Sequence, residues 1–124
     1  MVRVLRVGGR LVIDDRSVPE DDAVDRAMNL MDRWHDHSHV RQYRPSEWRD
    51  MLEVAGIAVD AVEPYVRHRP IAAMLHGASA EDERQVRALL AEADQGLCEK
   101  LNLVQRDDTL YFNHWYLLIS GSKR

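Results

Sequence analysis

Two hydrophobic periods alternate along this chain. After the turn signal Gly8-Gly9, Arg10-Leu11-Val12-Ile13 is a short, nearly continuous apolar run. Bounded by turn residues, it predicts a strand buried on both faces, as in a parallel sheet. Asp14-Asp15-Arg16-Ser17-Val18-Pro19 ends it in a polar loop. The period then becomes helical. Val24, Ala27, Met28 and Met31 form one stripe, Trp34 continues it, and Glu20, Asp21 and Asp22 place negative charge at the helix N-terminus.

From His35 to Tyr43 no period holds, and a loop is predicted. Pro45 suits a first helical position, Trp48, Met51, Leu52 and Ala55 form an apolar face, and Gly56 predicts a left-handed cap. Ile57 to Val66 is strand-like, with Pro64 marking an edge or a bulge. A short helix is expected from Pro70 to Leu75. Ser79 and Asp82 open another, with the stripe Val86, Leu89, Leu90, Ala93 and a stop or bend at Gly96. Leu101 to Val104 and Leu110 to Ser120 predict a hairpin around Gln105-Arg106-Asp107-Asp108. Strands alternating with helices predict an α/β fold, and the hairpin requires one antiparallel strand. No repeat or linker interrupts the pattern, so residues 1–124 read as a single domain.

Composition narrows the partners. Seventeen Lys and Arg against twenty-one Asp and Glu give a net charge of -4, which provides no general attraction to phosphate backbones or anionic lipid. Basic runs interleaved with aromatics are missing, which argues against nucleic acid. Cys98 has no second cysteine to pair with, favouring a reducing, cytoplasmic setting and a packed thiol. No apolar stretch approaches bilayer length and no signal-peptide pattern opens the chain, so no membrane partner is expected.

Three segments carry a family resemblance. Val4-Leu5-Arg6-Val7-Gly8-Gly9, followed by Arg10 to Asp14, resembles the turn leading into the fifth strand of class I S-adenosylmethionine-dependent methyltransferases. His35-Asp36-His37-Ser38-His39-Val40-Arg41 resembles a loop of the UbiE/COQ5-like "methyltransferase type 11" group. Glu47-Trp48-Arg49, with Leu52-Glu53-Val54-Ala55-Gly56, resembles that group's next helix. Each motif is weak alone; their order and spacing carry the match. The resemblance implies a C-terminal half: a partial Rossmann-like methyltransferase domain, with a small mixed sheet made of strands five, six and seven of the family fold, and helices. The family's donor machinery, a glycine-rich loop after its first strand and an acidic residue after its second, precedes this region. S-adenosylmethionine is thus implied by the family only, and this chain alone is expected to bind no cofactor and to lack catalysis. Three departures stand in the matched region: Val7 and His37 where the family usually has proline, and Arg44 where it has Ser or Thr. The last removes a side-chain acceptor for the helix N-terminus, leaving its N–H groups to water or another residue.

By the same resemblance, His39 and Arg41 shape the acceptor pocket, Asp14 and Asp15 line its floor, and the ligand is a small-molecule acceptor. The bland alternative is that His39 and Arg41 tie the loop to nearby carboxylates while Asp14-Asp15 merely solvates a strand end. His35, His37 and His39 would share one face of an extended segment, with Asp32 or Asp36 nearby, as metal ligands can. One substitution creates that pattern, and no metal is expected. Trp34, Trp48, Met28, Met31 and Met51 read as core, while Trp115 and Tyr116 must point to opposite faces.

A half sheet also has a bare edge. Without a fourth strand, Arg10 to Asp14 would present unpaired N–H and C=O groups, a template for another strand. A homodimer through that strand is expected, or a separate chain carrying the missing half. The reading from another class is a stand-alone dimeric module, binding or regulatory, derived from a methyltransferase.

Overall fold

The computed structural model describes residues 4–36 and 41–124. Strand β1 (Arg10–Ser17) leads to helix α1 (Asp22–His35), helix α2 (Pro45–Val54) and strand β2 (Ile57–Pro70). Helices α3 (Ala72–Leu75), α4 (Ala80–Glu92) and α5 (Gln95–Leu101) precede strands β3 (Val104–Arg106) and β4 (Thr109–Lys123). The sheet order is β1-β4-β2, with β3 on the first residues of β4. Every ladder among the described residues is antiparallel, so β1 and β2 run parallel to each other on either side of β4.

Two cores flank the sheet. One gathers α1, α4 and their neighbours around Phe112: Val24, Met28, Met31, Met74, Val86, Leu90 and Leu101 are all buried. The other places Leu52 of α2 on Leu11, Ile57, Leu117 and Ile119, with Trp48 packed beside them. The predicted stripe of α1 therefore faces inward as the period required. Its start is capped by Asp21, whose carboxylate accepts the Val24 N–H at 3.0 Å.

Helix α2 solves its missing cap from two sides. Arg44 offers no side-chain acceptor, but the Glu47 carboxylate accepts the Arg44 N–H at 3.1 Å. Glu20, from before α1, accepts the Ser46 N–H at 3.0 Å. Gly56 does take positive φ (+94°), ending the helix without a Cβ clash.

Several expectations are corrected. β1 is not buried on both faces: Leu11 is buried, whereas Val12 is 64% exposed. The reason is coverage, since α2 packs on the Leu11 side and no described element covers Val12. Strand β2 continues four residues past Val66 to Pro70. Its register shift falls between Val59 and Ala61; of the two readings of Pro64, edge or bulge, the edge holds, since β2 pairs only with β4 among the described residues and the proline stays in register opposite Leu117. Gly96 lies inside α5 rather than ending α4, which stops at Glu92. Leu101 belongs to α5, whose left-handed C-cap Asn102 delays β3 until Val104. β4 extends at both ends beyond the predicted span. His35 is the last residue of α1 and not the start of an extended segment.

Candidate functional site

The C-terminal part of β1 opens onto a cleft. Asp14, Asp15 and Arg16 meet Tyr65, Arg67 and Arg69 of β2 and Tyr116 of β4 around a volume of about 400 Å³. The ladder explains the convergence. Arg16 and Tyr65 are both register partners of Tyr116, so the three side chains share one face, with Arg67 and Arg69 two and four residues farther along β2.

Inside the cleft Tyr65 and Tyr116 stack at 5.2 Å between centroids, 15° from parallel. The Arg67 guanidinium lies 5.9 Å and 5.7 Å from those ring centres, a cation–π arrangement. The Tyr65 hydroxyl donates to Asp14, and that bond, followed by partial desolvation, raises the phenol's pKa above its ordinary value. Arg69 Nη1 donates to the Tyr116 hydroxyl oxygen at 2.7 Å. The Asp15 carboxylate accepts the Arg16 N–H at 2.7 Å.

Beneath the cleft lies a polar cluster with unused capacity. Arg16 Nη1 donates to Asp32 Oδ1 at 3.1 Å, yet Arg16 Nε and Nη2, Asp32 Oδ2 and His114 Nε2 are buried without a hydrogen-bond partner among the described residues. Burial, then the charges of Arg16, Arg69 and His68, push the His114 imidazole down to about 3.

Asp14 and Asp15 both line this cleft, within β1 and not in a loop after it, because pairing with β4 carries the strand on through Ser17. Arg41 stands elsewhere. Its Nη1 and Nη2 donate to the two Asp25 oxygens at 2.8 and 2.7 Å, and Nη2 also reaches Glu47 at 2.6 Å. Arg44 Nε adds a third cationic contact to Asp25 at 2.6 Å. This is the tie to neighbouring carboxylates offered as the alternative reading, here joining loop, α1 and α2. The loop's exit is fastened further by Ser17, whose hydroxyl donates to the Tyr43 carbonyl at 2.6 Å. His39 lies outside the described residues, as does His37 of the proposed metal set; among the described residues no cluster fit for a metal ion occurs.

Arg16, Tyr65, Arg67, Arg69 and Tyr116 were not foreseen as site residues. A signal was available in the period-2 run Glu63, Tyr65, Arg67, Arg69, which becomes one polar face once β2 is extended to Pro70.

The family's donor would need a glycine turn joining a strand to a helix N-terminus. Gly8-Gly9 leads into β1, Gly56 into β2, Gly77 lies between two helices, Gly96 is within α5 and Gly121 within β4. The described residues do not fit that group.

No family model matches the chain. The uncharacterised methyltransferase YcgJ of Bacillus subtilis (strain 168) is 31% identical over 132 aligned residues, covering all of this chain and 51% of YcgJ. The chain has a methyltransferase relative along its whole length. It spans about half the length of that relative. The uncharacterised Escherichia coli (strain K12) protein YafE is 34% identical over 58 residues, 47% of this chain and 28% of YafE. In space the chain is similar to BH2331, a methyltransferase candidate from Bacillus halodurans C-125, with a TM-score of 0.88 and 26% identity over 98% of this chain and 54% of that one. The crystal structure of YcgJ gives 0.86 and 27% over 99% and 54%. The α/β architecture is thus that of about half a methyltransferase fold.

Proposed function

We propose that this chain is the C-terminal half of a UbiE/COQ5-like methyltransferase fold and supplies the acceptor-side wall of its site, inactive alone. A further stretch of polypeptide, in the same chain or another, would seat S-adenosylmethionine. The observation that carries this is the cleft at the C-terminal end of β1, where α/β folds place ligands, in a chain spanning half its relatives. Isothermal titration of this chain with S-adenosylmethionine is expected to give no binding up to about 1 mM. Micromolar binding would refute the reading. Translating the DNA upstream of the first codon tests the same point, since a glycine-rich strand–turn–helix should appear there or in a separate gene.

A second reading, the dimeric binding or regulatory module, has one specific support. β1 pairs only with β4, leaving its other edge open among the described residues. Antiparallel self-pairing of that edge about Val12 would set Arg10 opposite Asp14 of a second copy, and Leu11 opposite Ile13. The sequence of the edge is self-complementary in charge. Facing Val12 residues would then have Cα atoms about 4.5–5.5 Å apart, within disulfide reach. A Val12→Cys variant in a Cys98→Ala background should therefore run as a disulfide-linked dimer on a non-reducing gel after air oxidation and as a monomer once reduced, and the parent should scatter light as a dimer. A monodisperse monomer with no crosslink excludes self-pairing and leaves the edge to the missing half.

A further inference from the structure

The cleft has a definite electrostatic character, and it narrows the chemistry of what could occupy it. Arg16, Arg67 and Arg69 line it against Asp14 and Asp15. The two carboxylates are already engaged: Asp14 accepts from Tyr65, Asp15 from the Arg16 backbone. Arg16 is offset by Asp32 behind it. Arg67 is different. Its guanidinium meets only the stacked rings of Tyr65 and Tyr116, and no hydrogen-bond acceptor for it occurs among the described residues. Arg69 spends one donor on the Tyr116 hydroxyl. The two arginines alternate on one strand, so both heads project from the same face with donors to spare, the planar fork that suits carboxylate and phosphate. The stacked tyrosines beside them offer an aromatic wall.

The geometry points to a small aromatic anion as the ligand of this cleft, its carboxylate or phosphate held by Arg67 and Arg69 and its ring against the Tyr65–Tyr116 stack. This rests on the acceptor-wall reading above and adds a substrate class to it. An alternative ligand, a cation drawn by Asp14 and Asp15, would have to displace the Tyr65 hydroxyl and sit beside Arg67 and Arg69, which no carboxylate pairs among the described residues and whose like charge opposes it.

The test is titration of the whole chain, followed by nuclear magnetic resonance, with benzoate, phenyl phosphate and the neutral benzamide. Benzoate or phenyl phosphate is expected to bind with a Kd of about 1 mM, to shift amides of residues 65–69 and 116, and to weaken as salt rises. Benzamide should bind at least tenfold more weakly. Which of the two anions binds better tells carboxylate from phosphate. The double variant Arg67→Gln/Arg69→Gln should lose binding tenfold or more. Asp14→Asn should gain severalfold by removing a repelling charge, an increase that misfolding could not produce. Equal binding of benzamide, undiminished binding by the double variant, or no binding of either anion at about ten times that concentration overturns the inference. None of those results touches the S-adenosylmethionine titration, so the acceptor-wall reading stands or falls separately.

Discussion

Replacing Asp25 by alanine is expected to lower the stability of the chain by about 3 kcal/mol, measured by urea denaturation at neutral pH. Asp25 is 5% exposed and its two oxygens accept four side-chain bonds, from Arg41 twice, Arg44 and Asn29. Deleting it removes the carboxylate shared by two guanidiniums, each a quarter to a third exposed, and leaves Arg41 to Glu47 and Arg44 to the exposed Asp22. Arg41→Met should cost less, since Arg44 continues to neutralise Asp25. The double variant should cost less than the two single changes together, because both act in one network. A loss below about 0.5 kcal/mol would show that the hub behaves as an exposed surface pair. The network has a pH signature as well. Burial pushes the Asp25 carboxyl up, but the bonds from Arg41, Arg44 and Asn29 more than offset that and hold it at about 2. Arg41 likewise lowers Glu47. Both are depressed carboxylates, so their stabilisation is complete above the ordinary carboxylate range and lost as pH falls from there towards 2. For Asp25 that amounts to about 2 kcal/mol, and an Arg41→Met chain should lose part of it.

The fate of Arg41 shows what a single sequence can and cannot reveal. Its partners Asp25 and Glu47 are sixteen and six residues away, on two different helices. Nothing in the local pattern says that these helices meet, and the preference for loop fastening over acceptor contact rested on the missing donor half, not on the motif. Helix α1 was readable because its stripe runs from Val24 to Trp34 and its acidic start is local. The α3–α5 region was less so. Gly96 is a helix breaker by propensity, yet Asp94 caps a new helix by accepting the Leu97 N–H at 2.8 Å, and a glycine at the second position of a first turn costs little there. Strand ends failed for a related reason. Arg67, His68 and Arg69 look like loop residues until β4, long enough to reach Tyr111, supplies them with register partners. The cleft residues of β2 lie within that extension or next to it, so the error that shortened the strand also hid the site. Asp14 and Asp15 look like the end of a strand, yet β4 keeps Asp14 to Ser17 in register, so their charge marks exposed positions inside β1 and not its end.

The same cleft bears on the second large effect, which concerns His114. The stability of the parent should fall by about 2 kcal/mol between pH 7 and pH 5 through this one group, and His114→Leu should abolish that fall. The imidazole is 1% exposed, stacks on Phe112 at 4.6 Å, and has no partner for Nε2 among the described residues. Burial, with Arg16, Arg69 and His68 around it, pushes its pKa from 6.5 down to about 3. The folded chain therefore resists a proton that the unfolded chain accepts below pH 6.5. The sign follows: the contribution is intact above that value and drains away as pH falls towards 3. Leucine cannot titrate, so whatever its packing cost at neutral pH, the difference in stability between pH 7 and pH 5 should shrink by about 2 kcal/mol. An unchanged difference would mean that His114 exchanges protons freely in the folded state, through water reaching Nε2 from the arginine-lined cleft. That outcome would make the polar cluster of Arg16, Asp32 and His114 part of the cleft rather than of the core beneath it.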